Sequence, residues 1–150
     1  MTDTETEKLA RVYDYLGQIR ALERQIRRKV LQRDELQACL LPRAIRYDGD
    51  KVQSSPEDVM GEVAGAVLDL DHEIEQMTRE KARLIREISG AIESLDDDTE
   101  KLVLTAYYIC RMTIRQIADD IHYSRSQTYN YYRAGLLHLA ERLDILDKAM

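Results

Sequence analysis

Apolar residues recur at steps of three and four along two long stretches of the chain, and this spacing predicts two long amphipathic helices. The first stretch runs from about Thr6 to about Leu40, and the second follows Ser55 and reaches Leu95. The first stripe consists of Leu9, Val12, Leu16, Ile19, Leu22, Ile26, Val30, Leu36 and Leu40. The second consists of Val59, Val63, Val67, Leu70, Ile74, Met77, Leu84, Ile88, Ile92 and Leu95, with Lys81 interrupting it. Because each stripe is narrow, each helix needs a partner, and we expect a long antiparallel helical hairpin with coiled-coil-like packing.

The segment between the two stripes, residues 41–54, is expected to form the hairpin loop. Pro42 ends the first helix, because proline lacks an amide donor and disfavours helical geometry in the residue before it. Asp48-Gly49 is a turn sequence, so a short β-ribbon and an ordered loop are both compatible with this stretch. Ser55-Pro56 then starts the second helix, since serine is a good cap and proline suits the first helical position.

A shorter helix is expected over residues 99–111. Asp96-Asp97-Asp98 precedes it, and acidic side chains favour the positive end of a helix dipole. Three carboxylates could also attract a hard cation, but the alternation and the glycine of a calcium loop are missing. The residues expected to be buried are Leu102, Val103, Ala106, Tyr108 and Cys110.

Two further helices are predicted on either side of His122-Tyr123. Ile114, Ile117, Ala118 and Ile121 share one helix face, and Thr113 is a good cap for that helix. Ser124 caps the next helix, which is expected from Arg125 to about Leu139. Two helices joined by so tight a turn predict a helix-turn-helix, whose second helix enters the major groove of DNA.

This region resembles the DNA-binding region 4 of sigma-70-type factors over about a third of the chain. The matching positions are Leu95, Val103-Leu104, Tyr108, Thr113, Ile117-Ala118, Ile121, Ser124-Arg125 and Leu136. The whole chain, with its helical N-terminal half and Val52-Gln53-Ser54-Ser55, looks like a phage and prophage family related to late-gene regulators of the RinA and ArpU types. The resemblance implies a tri-helical domain over residues 95–150, after a helical hairpin over residues 1–94.

The matched positions assign a DNA-reading face to the start of the last helix. Its base-contacting residues are expected to be Arg125, Ser126, Gln127, Tyr129 and Asn130, and its phosphate-contacting residues Thr113, Arg115 and Arg133. Arginine can donate two hydrogen bonds to guanine, and Asn and Gln can pair with adenine. The inner side is expected to bury Thr128, Tyr131, Leu136 and Leu139, with Tyr123 of the turn packed inward. Ser126 and Tyr129 depart from the charged residues usual in sigma-type domains, so no sequence preference follows.

The charge balance opposes non-specific binding to nucleic acid. The chain has a net charge of −6 at pH 7. Residues 96–150 contain seven Lys or Arg against nine Asp or Glu, a net charge of −2. DNA binding must therefore come from a local basic patch. The markedly basic stretch from Arg20 to Arg33 is compatible with a solvated helix face and with a surface for nucleic acid or an acidic partner.

Little in the sequence indicates an enzyme. His72, His122 and His138 lie on different predicted elements, without a metal-binding pair on a shared face. Cys39 and Cys110 lack a Cys-x-x-Cys partner, so we expect reduced, semi-buried thiols. A Gly-rich phosphate loop is absent. We therefore expect no enzymatic activity and no cofactor.

The sequence also argues against a membrane protein or a secreted one. No apolar run approaches the length of a bilayer span, and the first seven residues are acidic and polar, unlike a signal peptide. The expected location is cytoplasmic.

These patterns together predict an all-α, sequence-specific DNA-binding transcription regulator, and the resemblance implies that it is of phage or prophage origin. The expected partners are double-stranded DNA, the host RNA polymerase and a second copy of the chain, held through the helical hairpin. A small-terminase-like DNA-packaging subunit is the alternative, because such proteins also combine a helix-turn-helix with long helices. A helical adaptor without DNA affinity is a third class, since Asp119 and Asp120 would be unfavourable near phosphates.

Overall fold

The computed structural model describes residues 3–40 and 56–149, and every regular element within these ranges is helical. The elements are α1 (Asp3–Leu16), α2 (Gln18–Ala38), α3 (Pro56–Glu93), α4 (Asp98–Leu104), a π-helical turn over Thr105–Ile109 that we call the π-turn, α5 (Ile114–Ile121) and α6 (Arg125–Ala149). The predicted all-α class is confirmed. The start of the second long helix at Pro56 is also as predicted, whereas the loop expected over residues 41–54 lies outside the described residues.

The first long helix of the sequence pattern is divided at Gly17 into α1 and α2. Its backbone hydrogen bonds continue through the division, because Gly17 N donates to Tyr13 O at 2.8 Å and Ala21 N donates to Gly17 O at 3.0 Å. A Cβ atom at residue 17 would lie only 2.8 Å from the carbonyl oxygen of Tyr13. The local geometry therefore requires glycine here, which apolar spacing alone does not indicate.

The structure contains two compact units, and the first combines Met1–Ala21 with Ala82–Met150. In this unit α6 packs against α1, α4 and α5. Its fully buried side chains are Val12, Leu16, Ile19, Ile88, Ile92, Val103, Leu104, Ile117, Thr128, Leu136 and Leu139. Burying each Leu, Ile or Val contributes roughly 1.5–3 kcal/mol. By compactness, α1, the first residues of α2 and the end of α3 therefore group with the C-terminal helices. The expected domain boundary after residue 94 stays a prediction.

The second unit, Leu22–Lys81, consists of the remaining parts of α2 and α3. Three ion pairs join these helices: Glu23 Oε1 to Lys81 Nζ at 3.3 Å, Lys29 Nζ to Glu73 Oε2 at 3.0 Å, and Arg33 Nη1 to Asp71 Oδ1 at 3.1 Å. Residue numbers rise along α2 as they fall along α3. Lys81, which interrupts the apolar stripe of α3, is therefore accommodated by a carboxylate on the facing helix.

Apolar side chains are less completely covered in this second unit than in the first. Val67 is buried, but Leu31, Met60 and Leu68 are 52%, 48% and 68% exposed. The stripe residues of α2 beyond Leu22 are only half-buried. The helix pair therefore leaves apolar surface in contact with solvent.

Two residues predicted to be buried in the helix after residue 98 are instead exposed, namely Leu102 and Cys110. The π-turn explains Cys110, since its amide donates to Thr105 O, five residues earlier, at 3.1 Å. The extra residue in that turn shifts the side chains that follow it relative to an α-helix. Val103, Leu104, Ala106 and Tyr108 take the inner positions. Cys39 is exposed as well, so the expectation of semi-buried thiols is wrong for both cysteines.

Two tyrosines near the start of α6 also differ from the prediction. Tyr132, not Tyr131, is the buried one, at 8% exposure, and Tyr131 is half-buried. Tyr123 is 39% exposed, and its ring stacks on Tyr131 with centroids 5.8 Å apart. The inner side of α6 is set by Thr128, Tyr132, Leu136 and Leu139, and this spacing leaves Tyr131 at the margin of the core.

Candidate nucleic-acid interface

The start of α5 is fixed by reciprocal hydrogen bonds between Thr113 and Gln116. Gln116 N donates to Thr113 Oγ1 at 3.1 Å, and Thr113 N donates to Gln116 Oε1 at 2.9 Å. Such a capping box satisfies two amides that the helix cannot pair internally. Since the threonine hydroxyl accepts a hydrogen bond here, its own proton remains available to donate to an anion. The cap predicted at Thr113 is present.

The turn between α5 and α6 is made by a left-handed residue followed by a second cap. His122 has φ 61° and ψ 38°. This conformation ends α5, and Tyr123 N donates to Ala118 O at 3.1 Å. Ser124 then caps α6, with Gln127 N donating to Ser124 Oγ at 3.1 Å. The cap predicted at Ser124 is present, but α6 continues ten residues beyond Leu139, to Ala149.

The inner side of α6 holds the helix against α4 and α5. Thr128 is fully buried, and its hydroxyl donates to Ser124 O at 2.9 Å. At Gly135, a Cβ atom would lie 3.1 Å from Leu104 Cδ1 and 3.4 Å from Glu100 Cβ. The absence of a side chain at this glycine therefore permits a close approach of α6 to α4.

The outer side of the first turns of α6 carries the residues that the sequence assigns to base contacts. All five are exposed: Arg125, Ser126, Gln127, Tyr129 and Asn130. Tyr129 is 47% exposed. Four of them fall at positions 125, 126, 129 and 130, so they share a face of the helix. The structure thus brings these four side chains together on a surface open to solvent, with Gln127 exposed beside them.

The residues assigned to phosphate contacts flank this surface in the sequence. Thr113 and Arg115 are exposed at the start of α5, and Arg133 is half-buried one turn further along α6. Within the described part of the chain, none of the three arginines at 115, 125 and 133 forms an ion pair. Asp119 and Asp120 are exposed on α5. Positive charge is therefore available locally, with two carboxylates on the neighbouring helix.

Behind the exposed face lies a cluster of tyrosines from the π-turn and the start of α6. Tyr108 of the π-turn and Tyr132 of α6 share a buried hydrogen bond between their hydroxyl oxygens, at 2.7 Å. Tyr107 packs on both, with ring centroids 4.8 Å from Tyr108 and 4.9 Å from Tyr132. Tyr129 reaches the cluster from the exposed face, 5.9 Å from Tyr132. We call these four residues the tyrosine cluster.

The hydroxyls of the cluster ionise less readily than those of free tyrosine. Burial raises the pKa of Tyr108 to about 12, although its hydrogen bond with Tyr132 acts in the opposite direction. Burial also raises the pKa of Tyr132, as does its hydrogen bond with Tyr108. Both hydroxyls are therefore neutral at physiological pH, and the pair serves to join α6 to the π-turn.

Arg20 of α2 contacts the same cluster. Its guanidinium carbon lies 4.7 Å from the centroid of the Tyr107 ring and 5.7 Å from that of Tyr108. Its Nη2 also donates to the Tyr107 carbonyl oxygen at 3.0 Å. Arginine combines such a contact over an aromatic face with planar hydrogen bonding.

A second pair that the sequence analysis did not find joins α4 to α6. Glu100 is buried at 5% exposure, and its Oε1 lies 2.5 Å from His138 Nδ1. This hydrogen bond raises the pKa of His138, while desolvation of the imidazole acts against it. The two residues are 38 positions apart, so no local pattern could have paired them.

The described residues contain no group of three or more His, Cys, Asp and Glu arranged to hold a metal ion. None of the described helices combines the length and the apolar character that a bilayer span requires.

Comparison with known proteins places most of the chain in one family. The family model described as "Protein of unknown function (DUF1492)" matches residues 44–140, which include the whole of α3, α4, the π-turn and α5 and the first part of α6. No curated protein and no solved structure matches the chain.

Proposed function

The chain belongs to the DUF1492 family, whose description assigns no function, and we propose that it is a sequence-specific DNA-binding protein. In this proposal α5, the turn at residues 122–124 and α6 form a helix-turn-helix, and the first turns of α6 enter the major groove. The parts of α2 and α3 joined by ion pairs form an antiparallel helical hairpin. We propose that the protein acts as a transcription regulator of phage or prophage origin.

One observation carries the proposal, namely the row of hydrogen-bonding side chains on the exposed face of α6. Arg125, Gln127 and Asn130 are all exposed within the first two turns. These are the residue types that form two-point hydrogen bonds with guanine and adenine edges. The buried side of the same turns is anchored at Thr128 and Tyr132. A helix fixed from behind, with these groups in front, matches the requirements of direct base recognition.

The charges near this face predict a modest electrostatic contribution to the affinity for DNA. Arg115 and Arg133 provide two charged phosphate contacts per copy, since Arg125 is assigned to a base. Each such contact contributes about −0.9 to the slope of log K against log salt, so we expect a slope of about −2 per bound copy. The net charge of −6 works against any additional long-range attraction.

A selection of bound fragments from a random duplex pool tests the proposal directly. The selected duplex is then used to compare the parent with Arg125→Ala by fluorescence anisotropy at low salt. Arg125→Ala should weaken binding by ~1–3 kcal/mol and relax selectivity at one base pair. The matched control is Arg86→Ala, which removes the same charge from an exposed position on α3 and should bind like the parent. Failure to enrich any sequence, or equal binding by Arg125→Ala and the parent, would contradict the proposal.

Self-association is proposed as the second element of this function. Leu31, Met60 and Leu68 are exposed apolar side chains of the helical hairpin, and such surface favours association. A dimer would present two copies of α6 to DNA, as regulators with paired half-sites do. Sedimentation equilibrium separates the candidates: a dimer favours the regulator, whereas a ring of many copies favours a small-terminase-like packaging subunit. The host RNA polymerase is proposed as a further partner because of the resemblance to sigma-type domains.

A further inference from the structure

Arg20 contacts both tyrosines of the π-turn, through the Tyr107 and Tyr108 rings and the Tyr107 carbonyl. It lies on α2, 87 residues before Tyr107 in the sequence. We propose that Arg20 is a positioning residue for DNA recognition, which holds the tyrosine cluster and, through it, the reading face of α6. The inference rests on the proposed function, because it assigns to that face a support on another helix.

The π-turn creates the site to which Arg20 binds. Cys110 N donates to Thr105 O at 3.1 Å, and Met112 N donates to Ala106 O at 2.9 Å. These hydrogen bonds span five and six residues instead of the four of an α-helix. The regular series of backbone hydrogen bonds therefore ends here, and the Tyr107 carbonyl lies at the end of the helical segment. Such carbonyls form the negative end of a helix, where a cation is favourable. The Arg20 guanidinium supplies both the donor and the charge.

From Tyr107, the contacts continue without interruption to the exposed face. The Tyr107 ring lies against Tyr132, and the Tyr132 hydroxyl is fixed by Tyr108 at 2.7 Å. Tyr132 in turn lies 5.9 Å, ring to ring, from Tyr129. Tyr129 is one of the five exposed residues proposed to contact bases. Arg20, which is half-buried, is thus connected to Tyr129 through Tyr107 and Tyr132.

A chain of packed rings is suited to positioning because rings have few internal rotations. Each member has two side-chain torsions, and buried side chains stay in one rotamer when their neighbours are close-packed. Removing Arg20 would leave Tyr107 free to change its ring contacts, and the loss would reach Tyr129 through Tyr132. Residues that act through such networks typically alter the affinity at a distant site by roughly twofold to thirtyfold.

The experiment compares Arg20→Met with Arg24→Met in the full chain. Arg24 lies one turn further along α2 and is exposed. Arg24→Met therefore removes the same charge without a contact to the tyrosine cluster. Three quantities are measured: affinity for the selected duplex, affinity for an unrelated duplex, and the salt dependence of binding. Near-ultraviolet circular dichroism reports on tyrosine packing with no contribution from Trp or Phe, and four of the nine Tyr belong to the tyrosine cluster.

We expect Arg20→Met to weaken binding to the selected duplex by roughly threefold to thirtyfold relative to Arg24→Met. Its binding to the unrelated duplex and its salt slope should equal those of the control, and its near-ultraviolet spectrum should change. A salt slope smaller by about 0.9 would overturn the inference, because Arg20 would then be a phosphate contact. An altered spectrum with unchanged selectivity would also overturn it, since Arg20 would then be purely structural.

A second variant covers the case in which Arg20→Met does not fold. Arg20→Lys keeps the charge near the rings but loses the planar guanidinium. Arg20→Lys should retain the far-ultraviolet spectrum of the parent and lose less selectivity than Arg20→Met. Where Arg20→Met is unfolded, Arg20→Lys should still lose more selectivity than the Arg24→Met control. Selectivity equal to the control in this folded variant would contradict the inference. A parent that enriches no duplex at all contradicts the proposed function itself, which is a distinct outcome.

Discussion

Replacing Tyr132 with Phe removes one partner of the buried hydroxyl pair while keeping the ring that fills the core. The remaining hydroxyl belongs to Tyr108, which is 5% exposed and has its partner oxygen at 2.7 Å. A buried polar group that loses its partner costs about 1–3 kcal/mol, whereas a satisfied neutral hydrogen bond contributes only about 0.5–1.5 kcal/mol. We therefore expect Tyr132→Phe to lower the free energy of unfolding by about 1–3 kcal/mol.

The double variant, in which Tyr108 is also replaced by Phe, provides the decisive comparison. With both hydroxyls removed, no buried donor is left unsatisfied and the two rings keep their packing. The double variant should therefore be closer in stability to the parent than the sum of the two single variants predicts. This non-additivity is what distinguishes a satisfied buried pair from two independent hydroxyls.

Urea unfolding followed by far-ultraviolet circular dichroism measures all four proteins, with the slope against urea checked for constancy. The control is Tyr123→Phe, since Tyr123 is 39% exposed and its hydroxyl change should have little effect. The measurement is made at pH 7, where both hydroxyls are protonated. The pKa of Tyr108 is raised from 10.0 to about 12, so this contribution is complete below pH 10 and is lost as the pH rises towards 12. Strictly additive losses in the double variant would refute the reasoning.

Two other predictions concern the contacts of α6 with α4. Gly135→Ala should lower the free energy of unfolding despite the better helix propensity of alanine, because the added Cβ meets the fully buried Leu104 at 3.1 Å. The control Gly90→Ala has open space around its Cβ and should instead raise the free energy of unfolding by about 0.5–1 kcal/mol. Urea unfolding of both variants checks the direction of each change. His138 has its pKa raised by its hydrogen bond to Glu100, so its contribution is complete below the ordinary histidine pKa and is lost as the pH rises through the raised value. His138→Gln should remove that pH dependence from the urea-unfolding profile, and an unchanged profile would contradict the assignment.

Local interactions account for the part of the fold that the sequence predicts well. Thr113 and Ser124 both cap the helices assigned to them, because a hydroxyl at such a position bonds to an amide only three residues away. The start of α3 at Pro56 has the same origin, since proline fixes its own backbone torsion. Where the determining contacts lie within one turn of helix, the residue pattern contains all of the necessary information.

The π-turn illustrates what the residue pattern does not contain. Apolar spacing predicts a regular helix over residues 99–111, and in a regular helix Cys110 would face the core. The π-turn shifts the register, so Cys110 is exposed while Tyr108 is buried as predicted. The stabilising partners of this turn are Arg20 and Tyr132, which are distant in sequence. Periodicity cannot identify a local irregularity whose supporting contacts are made by other helices.

The choice between Tyr131 and Tyr132 depends on distant contacts in the same way. Either could precede Leu136 and Leu139 on an apolar face, and the sequence analysis chose Tyr131. In the structure, Tyr132 is selected by the Tyr108 hydroxyl and by the close approach of α6 to α4 at Gly135. The outward face depends less on this detail. Its five predicted residues are exposed at positions that a helix beginning at Arg125 would expose under either assignment.

An acidic chain that binds DNA must obtain its affinity from geometry more than from charge. The net charge is −6, and three arginines lie near the proposed reading face. Few phosphate contacts mean that little binding free energy is available to order a mobile helix on association. The cost of ordering is smallest when the helix is already fixed, and the buried pair Tyr108–Tyr132, the approach at Gly135 and the cap at Ser124 all fix α6 within the unbound chain. Under the proposed function, the unfavourable charge and the tightly held helix are therefore compatible, because preorganisation of α6 would offset the weak electrostatic attraction.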